Sequence, residues 1–234
     1  MSANESKQSF EDYYDAQWLK KHEYFRFHKT RFLHSFEILN PFVEQKSTVA
    51  DFVQPGDGPG PLAGFFEIEK NAVLVLITSD LRGHLDVADS SCDMVLCTET
   101  IEHIKDKEST AINDLERFNY SGVDSMLSET ARILTDTGKL FITTPNSSSF
   151  TNLYKWLMGE LPYMDPNHVR EYTVDLLNET CRRNGLVPIA IELRNSWGNV
   201  PENLIVEFEH ILTSCSVKRN VSRGENIYAV YSKR

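Results

Sequence analysis

The residues best equipped for chemistry stand together in the run Thr98-Glu99-Thr100-Ile101-Glu102-His103. Glu99, Glu102 and His103 bring two carboxylates and an imidazole close together in the chain. Such a set can hold Mg²⁺ or another divalent ion, which lowers the pKa of a nearby hydroxyl. His103 also suits general-base work, because an imidazole titrates near neutrality. A plain role in packing or capping the turn after the strand fits the same letters. A second group is the loop PGDGPG at 55–60, where Gly56, Gly58 and Gly60 alternate. After a strand, such glycines let the backbone approach a ligand closely, although a surface turn reads the same way. Asp80 follows an apolar run; it can accept a bond from an amine or a hydroxyl, or cap the next turn. His168, Tyr163 and Trp156 are candidates for contact with a substrate, and His168 is equally a further metal ligand or an ordinary loop histidine.

These residues need elements to position them. TVADFV at 48–53 and AVLVLIT at 72–78 read as buried strands. DMVLCT at 93–98, KLFITT at 139–144, 186–193 and NIYAVY at 226–231 read likewise. Helices are expected at 61–69, 127–134 and 174–184, the last ending at Gly185 in the position favoured for a helix stop. Asp136-Thr137-Gly138 reads as a turn. Residues 10–40 carry a helical spacing of aromatics, with Phe25, Phe32 and Phe36 able to share a face before Pro41 ends the region. The polar stretch 105–123 reads as an insertion or mobile loop, and 195–203 as another loop. Strands alternating with helices imply a mostly parallel sheet covered on both faces.

Composition narrows the possibilities. The chain has 234 residues and 41% hydrophobic content, enough for one large domain with a full core. A formal charge of −10 repels phosphate backbones and argues against nucleic acid as the main partner. Cys92, Cys97, Cys181 and Cys215 form no C-x-x-C pair, so they read as small buried hydrophobes. No stretch approaches the roughly 20 apolar residues of a membrane span. The polar, acidic start MSANESKQSFEDYYD lacks the apolar core of a secretory signal, so a cytoplasmic location is expected.

Three stretches together resemble class I S-adenosylmethionine-dependent methyltransferases, most of all the small enzymes of glycan and natural-product pathways. They are SDLRGHLDVADSSCDMVLCTETIEHI at 79–104, SETARILTDTGKLFITTPN at 128–146 and NHVREYTVDLLNETCRRNG at 167–185. They follow one another in the family's order. The resemblance implies an α/β fold, Rossmann-like, with a mostly parallel sheet and helices on both faces. It implies a single domain: a helical cap segment at 1–47, a core at 48–193, and a loop with a closing strand at 194–234.

By the same resemblance the cofactor is S-adenosyl-L-methionine, held by Gly56, Gly58, Gly60, Asp80, Thr98 and Glu99. The first three lie toward its methionine and ribose, and Thr98 and Glu99 beside its sulfonium end. His103 becomes the leading base. The pattern E-x-x-E-H is similar to the metal-binding pattern of ubiquinone-pathway O-methyltransferases and of small-RNA 2′-O-methyltransferases. The expected reaction is methyl transfer, foremost to oxygen, on a small-molecule or sugar-type acceptor; a methyltransferase-like binding protein that has lost its cofactor is the alternative, and an RNA methyltransferase is less favoured. Two departures stand out. Gln54 holds the family's usual acidic position, with Asp51 three residues before it. The chain between Gly60 and Asp93 is also short by about one strand and one helix. The strand that normally ends in the ribose-binding acid is therefore absent, or merged with 72–78.

Overall fold

The computed structural model describes residues 3–107, 120–198, 200–214 and 223–234. Six strands build one sheet: β1 (Thr48–Phe52), β2 (Val73–Ile77), β3 (Cys92–Thr98), β4 (Leu134–Pro145), β5 (Leu186–Arg194) and β6 (Asn226–Lys233). Their order is β2-β1-β3-β4-β6-β5. The pairs among β1 to β4 are parallel, while β6 runs antiparallel to both β4 and β5. The helices are α1 (Ala3–Gln17), α2 (Glu23–Phe27), α3 (Lys29–Leu39), α4 (Pro61–Lys70), α5 (Ser121–Ile133), α6 (Phe150–Leu157), α7 (Val174–Arg183) and α8 (Glu202–Ser214).

Strands β1, β3 and β6 and the second half of β4 are buried on both faces, and the period of two sorts their side chains into two cores. The run at 72–78 is expected to be buried but forms the edge strand β2, which leaves Val73 and Leu76 exposed because no strand pairs beyond it among the described residues. Val95 and Cys97 of β3, Leu140 and Ile142 of β4, and Ala229 and Tyr231 of β6 pack with Met126 and Leu127 of α5 and Leu177 of α7. The alternate residues Met94, Leu96, Phe141, Tyr228 and Val230 face the other way, toward α1, α3 and α4. There Phe10 stacks on Phe36 at 4.5 Å, and Phe65 meets both rings edge-on. The aromatic N-terminal region thus forms a layer of the core as well as a cover. Its expected single face is divided among three helices, because α2 and α3 break at His28.

The shortening expected between Gly60 and Asp93 takes a definite form. β2 lies beside β1, and among the described residues no strand lies outside it. No helix joins β2 to β3. The connecting loop packs directly on α5 instead. Leu85 is fully buried, its N–H donates to Glu129 Oε2 at 2.8 Å, and Arg132 donates to the carbonyls of Leu85 and Val87, each at 2.8 Å.

Other departures from the sequence expectation have local causes. The turn expected at 136–138 lies within a longer β4, where the register with β3 shifts between Cys92↔Leu134 and Met94↔Lys139. Gly138 is required there, since a Cβ would lie 2.9 Å from the Cys92 carbonyl. Helix α5 begins at Ser121, inside the stretch read as an insertion; residues 108–119 of that stretch fall outside the described residues. Helix α8 stands where only a loop and a closing strand were expected. It buries Phe208 alone, although Leu204, Ile205, Phe208, Ile211 and Leu212 recur at helical spacing, and it leaves Val206 and Ile211 exposed. Cys92, Cys97 and Cys181 are buried free thiols, and Cys215 lies outside the described residues. Among the described residues no helix is long and apolar enough to cross a membrane.

Candidate functional site

The carboxyl ends of β1, β3 and β4 meet on one edge of the sheet, where ligands of open α/β sheets bind. Asp51, the penultimate residue of β1, is almost fully buried just before the loop. Its Oδ2 accepts the Gly60 N–H at 2.9 Å, drawing the far end of the loop back to the strand. Gly56 takes a φ of +93°, a region that favours glycine, and turns the chain. Asp51, and not position 54, thus supplies the acid that ties the glycine loop to β1. Gly60 then caps α4, whose first residue is Pro61.

Burial pushes the Asp51 carboxyl up to about 6, with the Gly60 N–H opposing it. A carboxyl raised in the folded chain binds its proton more tightly there than when unfolded. Its contribution is fully present below about pH 4 and lost as the pH rises through about 6. Asp51→Asn keeps an acceptor for Gly60 without the charge. The variant is expected to lose much of the fall in stability between about pH 4 and 6, on the order of 2–3 kcal/mol. Urea melts of both proteins across that range measure it, and parallel pH profiles would refute it.

A cleft of about 960 Å³ opens beside this loop. Asp51, Gly58, Gly60, Thr98, Glu99 and Arg31 are among the residues lining it. A second cleft, of about 650 Å³, is lined by His28, Glu102, His103, Tyr154, His168 and Trp197 among others. Tyr24, Gln54 and Glu99 belong to both, so the two clefts meet at Glu99.

Glu99 is held from three sides. Its backbone sits at φ 50°, an uncommon conformation for a side-chain-bearing residue and one that clusters at functional sites. Its N–H donates to the Thr143 carbonyl at 2.9 Å. Its Oε1 accepts from Asn226 Nδ2 at 2.9 Å and lies 3.7 Å from Arg31 Nη1. Arg31 is 1% exposed; its Nη2 donates to the Tyr24 hydroxyl at 2.8 Å and its Nε to His28 Nδ1 at 3.3 Å. Burial opposes the Arg31 charge, but Glu99 foremost restores it, and its pKa stands above the usual value.

Glu102 and His103 occupy a 3-10 turn, Ile101–His103, after β3. Glu102 is fully buried. Its Oε2 accepts from Thr144 Oγ1 at 2.9 Å, while Oε1 is buried without a partner. Burial, reinforced by the charge of Glu99, pushes its carboxyl well up. The Glu102 carbonyl accepts the N–H groups of Val169 and Arg170, which ties this turn to the loop carrying His168. The rings of His103 and His168 consequently stand 4.8 Å apart. Burial, then the neighbouring His168, pushes the His103 imidazole down. His168 Nδ1 lies 2.7 Å from Glu171 Oε1, and Asn152 Nδ2 donates to Glu171 Oε2 at 2.6 Å.

Several candidates are brought together, then, and others are not. Glu102 and His103 gather with His168 rather than with Glu99: one ligand atom from each of the three lies within 4.8 Å of the others. Gly58, Gly60, Thr98 and Glu99 line the first cleft, but Gly56 and Asp80 do not. The Asp80 carboxylate pairs with Arg82 at 2.8 Å, and these bonds hold it at about 2. Trp156 is 66% exposed, and neither it nor Tyr163 lines the second cleft, where Tyr154, Lys155 and Met164 do. No sequence motif points to Arg31 or Glu171. Arg31 had a signal, since it falls in phase with the buried Ser35 and Ile38 of α3. Glu171 had none, because only the folded loop aims it at His168.

Comparison with known proteins identifies the family and the fold. A family model described as a methyltransferase domain matches residues 5–191. No curated protein matches the sequence. Among solved structures, the fold is similar to a SAM-dependent methyltransferase of Archaeoglobus fulgidus (TM-score 0.55, 16% identity, covering 91% of this chain and 100% of that one). It is also similar to a SAM-dependent methyltransferase of Thermotoga maritima (0.52, 14%, 96% and 100%). A third is phosphoethanolamine N-methyltransferase 2 of Haemonchus contortus, solved with phosphomonomethylethanolamine and S-adenosylhomocysteine (0.52, 14%, 96% and 60%). At these identities the likeness is one of fold.

Proposed function

The chain belongs to the methyltransferase domain family, the S-adenosylmethionine-dependent methyltransferases, and on that premise we propose that it methylates a hydroxyl of a small-molecule or sugar-type acceptor. The observation that carries the reading is the meeting of two clefts at Glu99. The first suits the cofactor, with Asp51, Gly58, Gly60, Thr98 and Glu99 to hold it. The second suits the acceptor. Methyl transfer is an in-line displacement for which the cofactor supplies the reactive carbon. The chain's own share is to align acceptor and cofactor at the junction and to exclude water. The aromatic cover given by Tyr24, Phe27 and Trp197 serves that exclusion.

Glu102, His103 and His168 form the proton-handling group of this proposal, and they fit a divalent ion. Glu102 Oε1 is buried without a partner, one Glu102 carboxylate oxygen lies within 4.8 Å of a ring nitrogen of each of His103 and His168, and Glu171 braces His168 as carboxylates brace metal-bound histidines. Two imidazoles and one carboxylate favour Mn²⁺ or Zn²⁺ over Mg²⁺, which prefers oxygen ligands. Such an ion, when bound, lowers the pKa of an acceptor hydroxyl.

Calorimetric titration with S-adenosylhomocysteine tests the premise for this chain. A Kd in the micromolar range, about −8 kcal/mol, is expected. No heat and no thermal shift at millimolar ligand would overturn the enzyme reading in favour of a methyltransferase-like binding protein.

A further inference from the structure

His28 sits where α2 passes into α3 and lines the acceptor cleft between Phe27 and Trp197. Its Nδ1 accepts from Trp197 Nε1 at 3.0 Å and from Arg31 Nε at 3.3 Å. Neither partner can accept a hydrogen bond, so Nδ1 carries no proton and the neutral ring holds its proton on Nε2. Burial, with help from the Arg31 charge, pushes the imidazole down to about 3, so the ring stays neutral. Both partners of Nδ1 are fixed. Arg31 is buried, and the backbone N–H groups of Ser196, Trp197 and Gly198 all donate to the Glu225 carboxylate, which sets the Trp197 loop. The Tyr24 ring packs on His28 at 4.1 Å, and Trp197 meets it edge-on at 5.8 Å. Among the described residues no group bonds Nε2, so the Nε2–H is left for the cleft.

The remaining cleft groups restrict what that N–H can meet. Glu99, Glu160 and Asp165 line the same space and repel a phosphate or a carboxylate. Lys155, the lysine of this lining, is engaged by the Tyr163 carbonyl. An ammonium group would suit the acids, but it offers nothing for a donor-only imidazole to bond. A neutral molecule that both donates and accepts satisfies both sets, and the faces of Tyr24 and Trp197 suit the apolar face of a sugar ring. We infer that His28 is a donor-only specificity residue of the acceptor cleft, and that the acceptor it reads is an uncharged polyhydroxyl molecule of the sugar class. The inference rests on the methyltransferase reading above.

The test uses the full chain labelled with ¹⁵N-histidine, after S-adenosylhomocysteine binding has been measured by calorimetry. Long-range ¹H–¹⁵N spectra, assigned with His28→Gln, report the His28 tautomer with or without that ligand. The expected result at pH 7 is a neutral ring protonated on Nε2. In the ligand-bound protein this signal should move on addition of methyl glucoside, methyl mannoside or methyl galactoside, but not of ethanolamine or inorganic phosphate. His28→Phe should weaken glycoside binding by about five- to tenfold, the loss of one hydrogen bond. His28→Gln, which keeps a side-chain N–H and an acceptor for Arg31 and Trp197, should retain part of it. An Nδ1-protonated or charged ring overturns the inference. So does a response to ethanolamine or phosphate in place of the glycosides, or no response to any glycoside. Failure of the wild-type chain to bind S-adenosylhomocysteine instead overturns the proposed function, and the tautomer result still stands by itself.

Discussion

His103→Ala is expected to lower turnover by about 10²–10⁴-fold while leaving S-adenosylhomocysteine affinity nearly unchanged. The imidazole lines the acceptor cleft and is absent from the cofactor cleft, so its loss should touch the acceptor's proton and not the cofactor. Three explanations of the same defect separate cleanly. If His103 acts with Glu102 and His168 on a divalent ion, then His168→Ala and Glu102→Gln should reproduce the defect, a chelator should impose it on the wild type, and Mn²⁺ should restore it. Glu171→Gln should then weaken Mn²⁺ binding by about 10–100-fold, since Glu171 touches His168 and not the ion. If His103 is a base acting without metal, chelation should change nothing. If it only packs, the melting temperature should fall and turnover per folded molecule should hold. Turnover is read as S-adenosylhomocysteine released with a glycoside acceptor, and Mn²⁺ affinity by titration of the apo protein. A stable His103→Ala protein with full turnover would remove both functional roles.

The central strands were legible because they are buried on both faces, and a run such as KLFITT carries that burial in its letters; AVLVLIT reads the same way but lies at the sheet edge, with Val73 and Leu76 exposed, because apolar letters do not say which strand lacks a neighbour. Helix α8 carries its own signal, since Leu204, Ile205, Phe208, Ile211 and Leu212 recur at helical spacing, and the expectation of a loop before the closing strand passes over it. The shortened half was legible as a count of residues but not as a shape. Whether a strand was missing or merged depended on where β2 would pair, and only the parallel pairing of Thr48–Phe52 with Val73–Ile77 decides it. Within the candidate site, the letters T-E-x-x-E-H place two carboxylates and an imidazole on one turn, but they do not say which carboxylate turns inward. One residue of chain at φ 50° swings Glu99 toward Arg31 and Asn226, and Glu102 alone is left facing the imidazoles. His168 takes the place foreseen for Glu99 because the Glu102 carbonyl anchors its loop, a backbone contact that no motif encodes. Asp51 was visible as an acid out of register, and the turn at Gly56 explains how it still reaches Gly60.

Glu99→Ala is expected to cost about 3–5 kcal/mol of folding stability, the usual penalty for leaving one member of a buried ion pair without its partner. Arg31 is the buried member. With Glu99 gone, its hydrogen-bond partners are the neutral Tyr24 hydroxyl and His28 Nδ1, which satisfy donors but do not balance a charge. The effect differs from that at a surface pair, which is worth about 0–1 kcal/mol. Glu99→Gln separates charge from shape, because its amide oxygen can still accept from Asn226 Nδ2. It should lose most of what Glu99→Ala loses if the ion pair dominates, and little if the Asn226 bond does. Arg31→Met removes the other charge and keeps much of the packing. Combined with Glu99→Gln it leaves an uncharged, filled site, so the double variant should be more stable than the sum of the single losses by about 1–3 kcal/mol. Urea denaturation of the four proteins supplies the cycle. Both residues also line the proposed cofactor cleft, so the double variant should recover stability without recovering S-adenosylhomocysteine affinity. Strictly additive losses, or a Glu99→Ala cost below about 1 kcal/mol, would show that the two charges are solvated by the cleft and do not hold each other.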